Sequence, residues 1–246
     1  MEDAVIDADG AHLTPLLVAI DGPAGSGKSS VSRAAAERLG FGILDTGAAY
    51  RALAWAARKA SVDLDSEPDL LRLLRDWAYG ITLRGEQRVT VRLPGESEVT
   101  EVTTEIRDPR ISAEVSRVSK HPRVRELLNE TFRRLVAESE LPGVVIEGRD
   151  ITTVVAPDAP VRLLLTAAPE VRAARRAGEL PGASPEQVFA DLQARDAKDA
   201  LVVDFVRPAP GVRLVDTSDL DFEQSVQAVM NVVFAAQAAA TGGVSR

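Results

Sequence analysis

The feature that most constrains this chain is a glycine-rich turn, Gly22-Pro23-Ala24-Gly25-Ser26-Gly27-Lys28-Ser29-Ser30, set between the apolar run Leu16 to Ile20 and a helical stretch from Lys28 to Leu39. It fits the pattern of a glycine, four residues, then Gly-Lys-Ser, in the strand, turn and helix context that the pattern requires. Successive backbone N–H groups and the positive end of a helix can there wrap a polyphosphate. Gly25 and Gly27 permit backbone angles that a side chain would forbid, Lys28 would reach the outer phosphates, and the Ser29 hydroxyl would sit on Mg²⁺. All nine residues, Gly22 to Ser30, are therefore the expected cradle for a nucleoside triphosphate.

A chain built on this unit alternates strands with helices. Further buried-strand candidates are Gly42 to Leu44, Gly143 to Ile146, Val161 to Leu165 and Val212 to Val215, each followed by a helical pattern. The expected fold is α/β, of the P-loop NTPase type: a parallel sheet with helices on both faces. Between Ser61 and Glu105 the texture changes. A helix over Glu67 to Tyr79 gives way to ITLRG, QRVTVRL and EVTEVT, with turn signals at Arg84-Gly85 and Pro94-Gly95, which reads as a small antiparallel β insert. The run GELPGASP, Gly178 to Pro185, cannot continue a helix and reads as a mobile loop. The expected organisation is a polar tail over 1–14, a core over 15–60 and 106–240 with a lid at about 172–186, and an inserted subdomain over 61–105.

Composition removes several function classes. With 29 basic against 37 acidic residues, the net charge of −8 argues against a nucleic-acid partner. No apolar run approaches the roughly 20 residues that cross a bilayer, so no membrane partner is expected. The chain has no cysteine, which excludes disulfides, cysteine nucleophiles and thiolate metal sites. Its acidic first residues lack a signal-peptide pattern, so a cytoplasmic location is expected. A GTP switch is disfavoured, because there is no Asn-Lys-x-Asp base reader and the Asp-x-x-Gly at Asp7 precedes the glycine turn.

Three further constellations carry charge to places where ligands bind. Asp45-Thr46-Gly47-Ala48-Ala49-Tyr50-Arg51 starts a helix after the second strand, with Asp45 and Thr46 as capping residues. Glu147-Gly148-Arg149-Asp150 stands near the C-terminal end of a core strand, where open parallel sheets place their ligands. Arg172, Arg175 and Arg176 fall at i, i+3 and i+4 of a helix, where like charges repel unless an anion joins them. Arg195 and Asp199 form an i, i+4 pair, read either as a site or as an intrahelical ion pair.

Together these motifs make the chain similar to the bacterial cytidylate (CMP) kinases from about Leu16 to Ser218. The likeness rests on GPAGSGKSS, DTGAAYR, Ile106-Arg107, PRVR at Pro122 to Arg125, EGRDITTVVAPDAP, the arginine-rich lid start and RDAKD at Arg195 to Asp199. The resemblance implies transfer of the ATP γ-phosphoryl group to CMP or dCMP, with Mg²⁺ present and a monomeric protein. It implies that Ser116, Arg125 and Asp150 read the cytosine, that Thr46, Arg51 and Arg149 hold the acceptor phosphate, and that Tyr50, Arg195 and Asp199 border the ribose. Lys28, Arg149, Arg172, Arg175 and Arg176 would neutralise the transferred group. Three positions depart from the family pattern: Val202 for an arginine, Thr152 for a glycine and Phe132 for a glutamine. The alternatives are another small P-loop kinase acting on UMP, AMP or shikimate, and a regulator that binds ATP without transferring phosphate.

Overall fold

Strand β1 (Leu16–Asp21) is an unbroken apolar run because it is the middle strand of a parallel sheet, with Val18, Ala19 and Ile20 all fully buried. The computed structural model describes residues 15–178, 184–199 and 207–242. After β1 come α1 (Lys28–Leu39), β2 (Gly42–Asp45), α2 (Thr46–Lys59), α3 (Glu67–Asp76), β3 (Ala78–Ile81), β4 (Val89–Arg92), β5 (Thr100–Glu101) and a 3₁₀ turn (Glu105–Arg107). Then follow α4 (Pro109–Ser119), α5 (Pro122–Ala137), β6 (Gly143–Gly148), a π turn (Ile151–Val155) and β7 (Val161–Thr166). The chain ends with α6 (Pro169–Gly178), α7 (Pro185–Asp199), β8 (Arg213–Asp216) and α8 (Phe222–Gly242). It divides into two compact units, Met1–Ile43 with Glu140–Arg246, and Leu44–Ser139.

In the first unit the sheet runs β2-β6-β1-β7-β8, with β1 parallel to both β6 and β7, and β7 parallel to β8. Alternate strand residues Val18, Ile20, Val145, Leu163, Leu165 and Val215 point to one face. There they meet Val31, Ala35 and Ala36 on one face of α1, and Val226, Val229 and Val233 of α8, which are spaced three and four residues apart. Each valine, leucine or isoleucine in this set stabilises the fold by about 1.5–3 kcal/mol when fully buried. Ala19, Val144, Ile146 and Leu164, on the opposite face, are equally buried. Helix α1 stops at Gly40, whose φ of 69° lets its N–H close on the Ala36 and Glu37 carbonyls.

The second unit is organised on α2, whose alanine-rich face (Ala48, Ala49, Ala52, Ala56) is fully buried and which packs against α4 and β4. Strands β3, β4 and β5 form the expected antiparallel sheet. The compact unit around that sheet is wider than the expected 61–105, because α2, α4 and α5 share its packing. One boundary differs inside it. The helix expected to reach Tyr79 ends at Asp76, and the chain is already extended at Trp77 (φ −81°, ψ 152°). Trp77 and Tyr79, two residues apart on one side of an extended segment, stack with ring centroids 5.6 Å apart, so aromatic pairing on a pleated strand overrides the helical spacing.

The expected lid, about 172–186, covers most of α6 and reaches only the first residues of α7. The tail 1–14, residues 179–183 and Val202 lie outside the described residues. No helix among the described residues is long and apolar enough to cross a membrane.

Candidate functional site

The glycine turn leaves β1 under close constraint. A Cβ on Gly22 would lie 2.3 Å from the Leu165 carbonyl oxygen of the adjoining strand, so only glycine fits. Gly25 has φ +74°, and a Cβ there would also meet the Arg172 carbonyl oxygen at 2.8 Å. Gly27 caps α1 in the left-handed region, and its carbonyl accepts the Val31 N–H at 2.9 Å. The cradle is therefore shaped by backbone, with its N–H groups at a helix N-terminus.

At the start of α1, two side chains converge on one carboxylate from β6. Lys28 Nζ lies 2.7 Å from Glu147 Oε2, and the Ser29 hydroxyl donates to Glu147 Oε1 at 2.7 Å. Glu147 is 3% exposed, so its charge is compensated locally by the ammonium. Pro23 is buried, Ala24 is half-buried and Ser30 is exposed. The Ser26 hydroxyl is buried and has no hydrogen-bond partner among the described residues. A buried polar atom without a partner is costly, and a bound phosphate oxygen in the cradle is a natural acceptor for it.

Residues Arg172 and Arg175 of α6 take a course the sequence did not indicate. Arg172 is buried; its Nε donates to Ala167 O (3.1 Å), its Nη1 donates to Ala24 O (3.0 Å), and the same nitrogen pairs with Asp196 Oδ2 at 2.7 Å. Arg175 Nη1 donates to Ser26 O (3.2 Å) and Thr217 Oγ1 (3.0 Å), and Nη2 donates to the carbonyls of Thr217 (2.8 Å) and Leu220 (3.2 Å). The expected contact of both guanidinium groups with a triphosphate is accompanied in the fold by carbonyl and Asp196 partners that moderate the repulsion between them. Ala24 also packs against the cluster of Ala173, Val188 and Leu192 on α6 and α7. Arg176 is exposed on the same helix.

Beyond Gly148, Arg149 is half-buried and Asp150 is buried at the head of the π turn. Asp21, the last residue of β1, accepts from that turn: Ile151 N–H at 2.7 Å, Thr152 N–H at 2.9 Å and the Thr152 hydroxyl at 2.6 Å. Burial pushes the Asp21 carboxyl up from its ordinary range, the Thr152 and Ile151 bonds pull it back, and the neighbouring Asp150 charge adds to the rise.

In the second unit, Asp45 caps α2 by accepting the Ala48 N–H at 3.2 Å, and its other oxygen takes Arg51 Nη2 at 2.7 Å. Thr46 is buried, and Tyr50 and Arg51 are half-buried on the same helix. A Cβ on Gly47 would lie 3.0 Å from both Arg51 Nη1 and Asp45 Oδ1, so the turn is drawn tight around this pair. Arg51 Nε and the Tyr79 hydroxyl are buried without partners among the described residues. Burial pushes the Tyr79 hydroxyl up, the Asp45 carboxylate adds to this, and the Arg51 guanidinium opposes it. Ser116 is exposed on α4 and Arg125 is half-buried in the first turn of α5. The Tyr50 ring packs against Phe132, centroids 6.4 Å apart at 56°. The side chains of Arg195 and Asp199, on α7, lie outside the described residues.

The cytidylate kinase family model matches residues 18–235. The chain belongs to the cytidylate kinase family. Cytidylate kinase from Cutibacterium acnes is 43% identical over 89% of this chain and 96% of its own. Cytidylate kinase from Rhodococcus opacus is 44% identical over 89% and 94%, and that from Nocardia farcinica 40% identical over 93% and 97%.

Within this family fold, two side chains stand out that sequence reasoning passed over. Asp21 is a lone carboxylate closing an apolar strand directly before the cradle, and that position was its signal. Tyr79 carries none, because its hydroxyl meets the Asp45–Arg51 pair only through folding. Two of the departures also acquire a place: Phe132 packs under Tyr50, and Thr152 supplies a hydroxyl to Asp21.

Proposed function

We propose that the protein transfers the γ-phosphoryl group of ATP in line to the 5′-phosphate of CMP or dCMP, giving ADP and CDP or dCDP. The observation that carries this reading is the intact Lys28–Glu147–Ser29 cluster at the mouth of a backbone-built cradle, in a chain of the cytidylate kinase family. The family match disfavours UMP, AMP or shikimate as the acceptor, and the completeness of the cradle disfavours a regulator that binds without transfer.

No general base is required. The acceptor is a phosphate monoester with a second pKa of about 6, so its oxygen is ionised at neutral pH. Catalysis then consists of holding two polyanions and neutralising the transferred charge. Lys28 supplies charge at the outer phosphates, and Glu147 holds its ammonium at the start of α1. Thr46, Arg51 and Arg149 bind the acceptor phosphate by the family likeness; the Arg51 Nε and Tyr79 hydroxyl, buried without partners among the described residues, are donors consistent with an anion there. Asp150 accepts from the cytosine amino group, with Ser116 and Arg125 meeting its other polar atoms. Uracil presents an acceptor where cytosine has its amino group, which opposes Asp150. Tyr50 borders the ribose, as do Arg195 and Asp199 by the family likeness.

Arg172 and Arg175 serve this chemistry by fixing the carbonyls of Ala24 and Ser26, and Arg176, exposed on the same helix, contacts the transferred group. Among the described residues no group of three His, Cys, Asp or Glu side chains forms a metal cage. That fits Mg²⁺, which binds through one or two protein oxygens together with substrate phosphates. The hard oxygens of Ser29 and Glu147 are the residues that would hold it, and when bound it neutralises charge on the β- and γ-phosphates.

The test is ADP release from Mg·ATP with CMP, dCMP, UMP, dTMP, AMP, GMP and shikimate as acceptors. Turnover fastest with CMP or dCMP is expected. Faster turnover with another acceptor would overturn the substrate assignment, and ATP binding without turnover across the panel would overturn the reaction.

A further inference from the structure

Parallel pairing of β1 with β6 sets Asp21 opposite Gly148. The strand β6 ends there, and Arg149 and Asp150 follow before the π turn begins at Ile151. The Asp21 side chain reaches across this junction. It is 2% exposed, no cation pairs with it among the described residues, and its two oxygens take three donors from Ile151 and Thr152 at 2.6–2.9 Å. An ionised carboxylate accepts and never donates, so all three bonds run one way, from the turn to the strand. On the other side Asp21 is bonded directly to Gly22, whose own place is fixed by its approach to the Leu165 carbonyl.

A buried carboxylate without a cation is costly unless its lone pairs are filled. Here they are filled by the two residues that follow Asp150, and by no other described residue. The third bond depends on the hydroxyl of Thr152. The glycine implied at this position by the family likeness would supply the N–H and nothing more, so this chain carries an additional tie.

We infer that Asp21 is a positioning residue that fixes the Arg149–Asp150 turn to the first residue of the phosphate cradle, with the Thr152 hydroxyl as its third tie. Through it the backbone that shapes the donor cradle also sets the two residues that meet the acceptor nucleotide. In-line transfer needs both reactants held within a fraction of an ångström, and a direct tie between the two loops serves that need. The inference rests on the reading that Arg149 and Asp150 contact the acceptor.

The experiment measures KM for CMP, KM for ATP, kcat and melting temperature in Thr152→Val, Thr152→Ser, Asp21→Asn and Asp150→Asn. Thr152→Val keeps shape and removes the hydroxyl; KM for CMP rises about fivefold, the worth of one hydrogen bond, while KM for ATP stays within about twofold. Thr152→Ser restores KM for CMP. Asp21→Asn replaces an acceptor by an amide that must present a donor to the turn, and it raises KM for CMP further while lowering kcat. Should Asp21→Asn not fold, the Thr152 pair decides alone.

Equal rises in both KM values, or a fall in melting temperature with unchanged KM for CMP, would make the cluster merely structural and overturn the inference. Asp150→Asn separates the two levels. If it raises KM for CMP while the Thr152 and Asp21 variants do not, the tie fails and the acceptor reading stands; if it leaves KM for CMP and the CMP to UMP ratio unchanged, the acceptor reading fails and the inference falls with it.

Discussion

The Lys28 ammonium lies 2.7 Å from Oε2 of Glu147, a pairing that joins the first turn of α1 to strand β6. The same carboxylate holds the Ser29 hydroxyl, so one acidic residue orients both side chains that end the cradle. Glu147→Gln keeps the shape and removes the charge that balances Lys28. We expect kcat to fall at least about 100-fold, the scale seen when a preorganised charge is lost, with little change in fold by circular dichroism. Lys28→Ala should abolish transfer in a folded protein; near-normal turnover would remove the cradle from the mechanism.

The Tyr79 hydroxyl is buried beside Asp45 and Arg51 without a partner among the described residues. Removing a buried unsatisfied group relieves a desolvation cost. Tyr79→Phe should therefore raise the stability of the nucleotide-free protein by about 1 kcal/mol, read as a higher melting temperature. If the hydroxyl meets the acceptor phosphate, CMP should stabilise the variant less than the parent chain, which a melting series against CMP concentration measures.

Phe132 is 1% exposed and supports the Tyr50 ring. Phe132→Gln would place an amide in that apolar site and lose the aromatic contact, costing about 3 kcal/mol or more. Urea denaturation should show a lower midpoint, and KM for CMP should rise because Tyr50 loses its backing. An unchanged midpoint would mean the site collapses around the smaller residue.

Two exposed carboxylates give the acid limb of stability its sign. Hydrogen bonds from Arg117 and then Lys120 hold Asp65 well below the ordinary carboxylate range, and bonds from the Arg110 side chain and N–H bring Asp108 down to about 2. Both values are lower in the folded chain than the 3.8 of a free aspartate. Their contribution is therefore complete above 3.8 and lost as the pH falls through the folded values. The melting temperature should drop over that window, Asp65→Asn should flatten the drop, and added salt should shrink the difference.

Much of this architecture is legible in the chain itself, and particular residues show why. The unit from Leu16 to Leu39 is readable because strand burial, tight glycine geometry and helix start are all local demands on residue type. The turns at Gly85 and Gly95 are readable for the same reason, and both have positive φ, 64° and 78°. The end of α3 is not, because Trp77 and Tyr79 continue a helical spacing that only their pairing in the folded chain revokes. Arg172 and Arg175 announce charge but not its partners: the carbonyls of Ala24 and Ser26, 148 and 149 residues away in sequence, leave no trace in side-chain identity. Candidate ligand contacts at Thr46, Arg51, Arg149 and Asp150 were visible as charge and hydroxyl at strand ends and helix starts. The Asp21 junction was not, since its three donors, on Ile151 and Thr152, lie 130 and 131 residues away in sequence.

Arg175 bonds Ser26 near one end of the chain and the Thr217 and Leu220 carbonyls near the other. A ribosome releases the first of these almost two hundred residues before the last. The glycine turn therefore emerges early yet acquires these supports only after Leu220 has been added. Nascent chains cut short before Leu220 would carry the whole glycine motif and still lack part of what shapes it, so the motif does not bring its own scaffold with it.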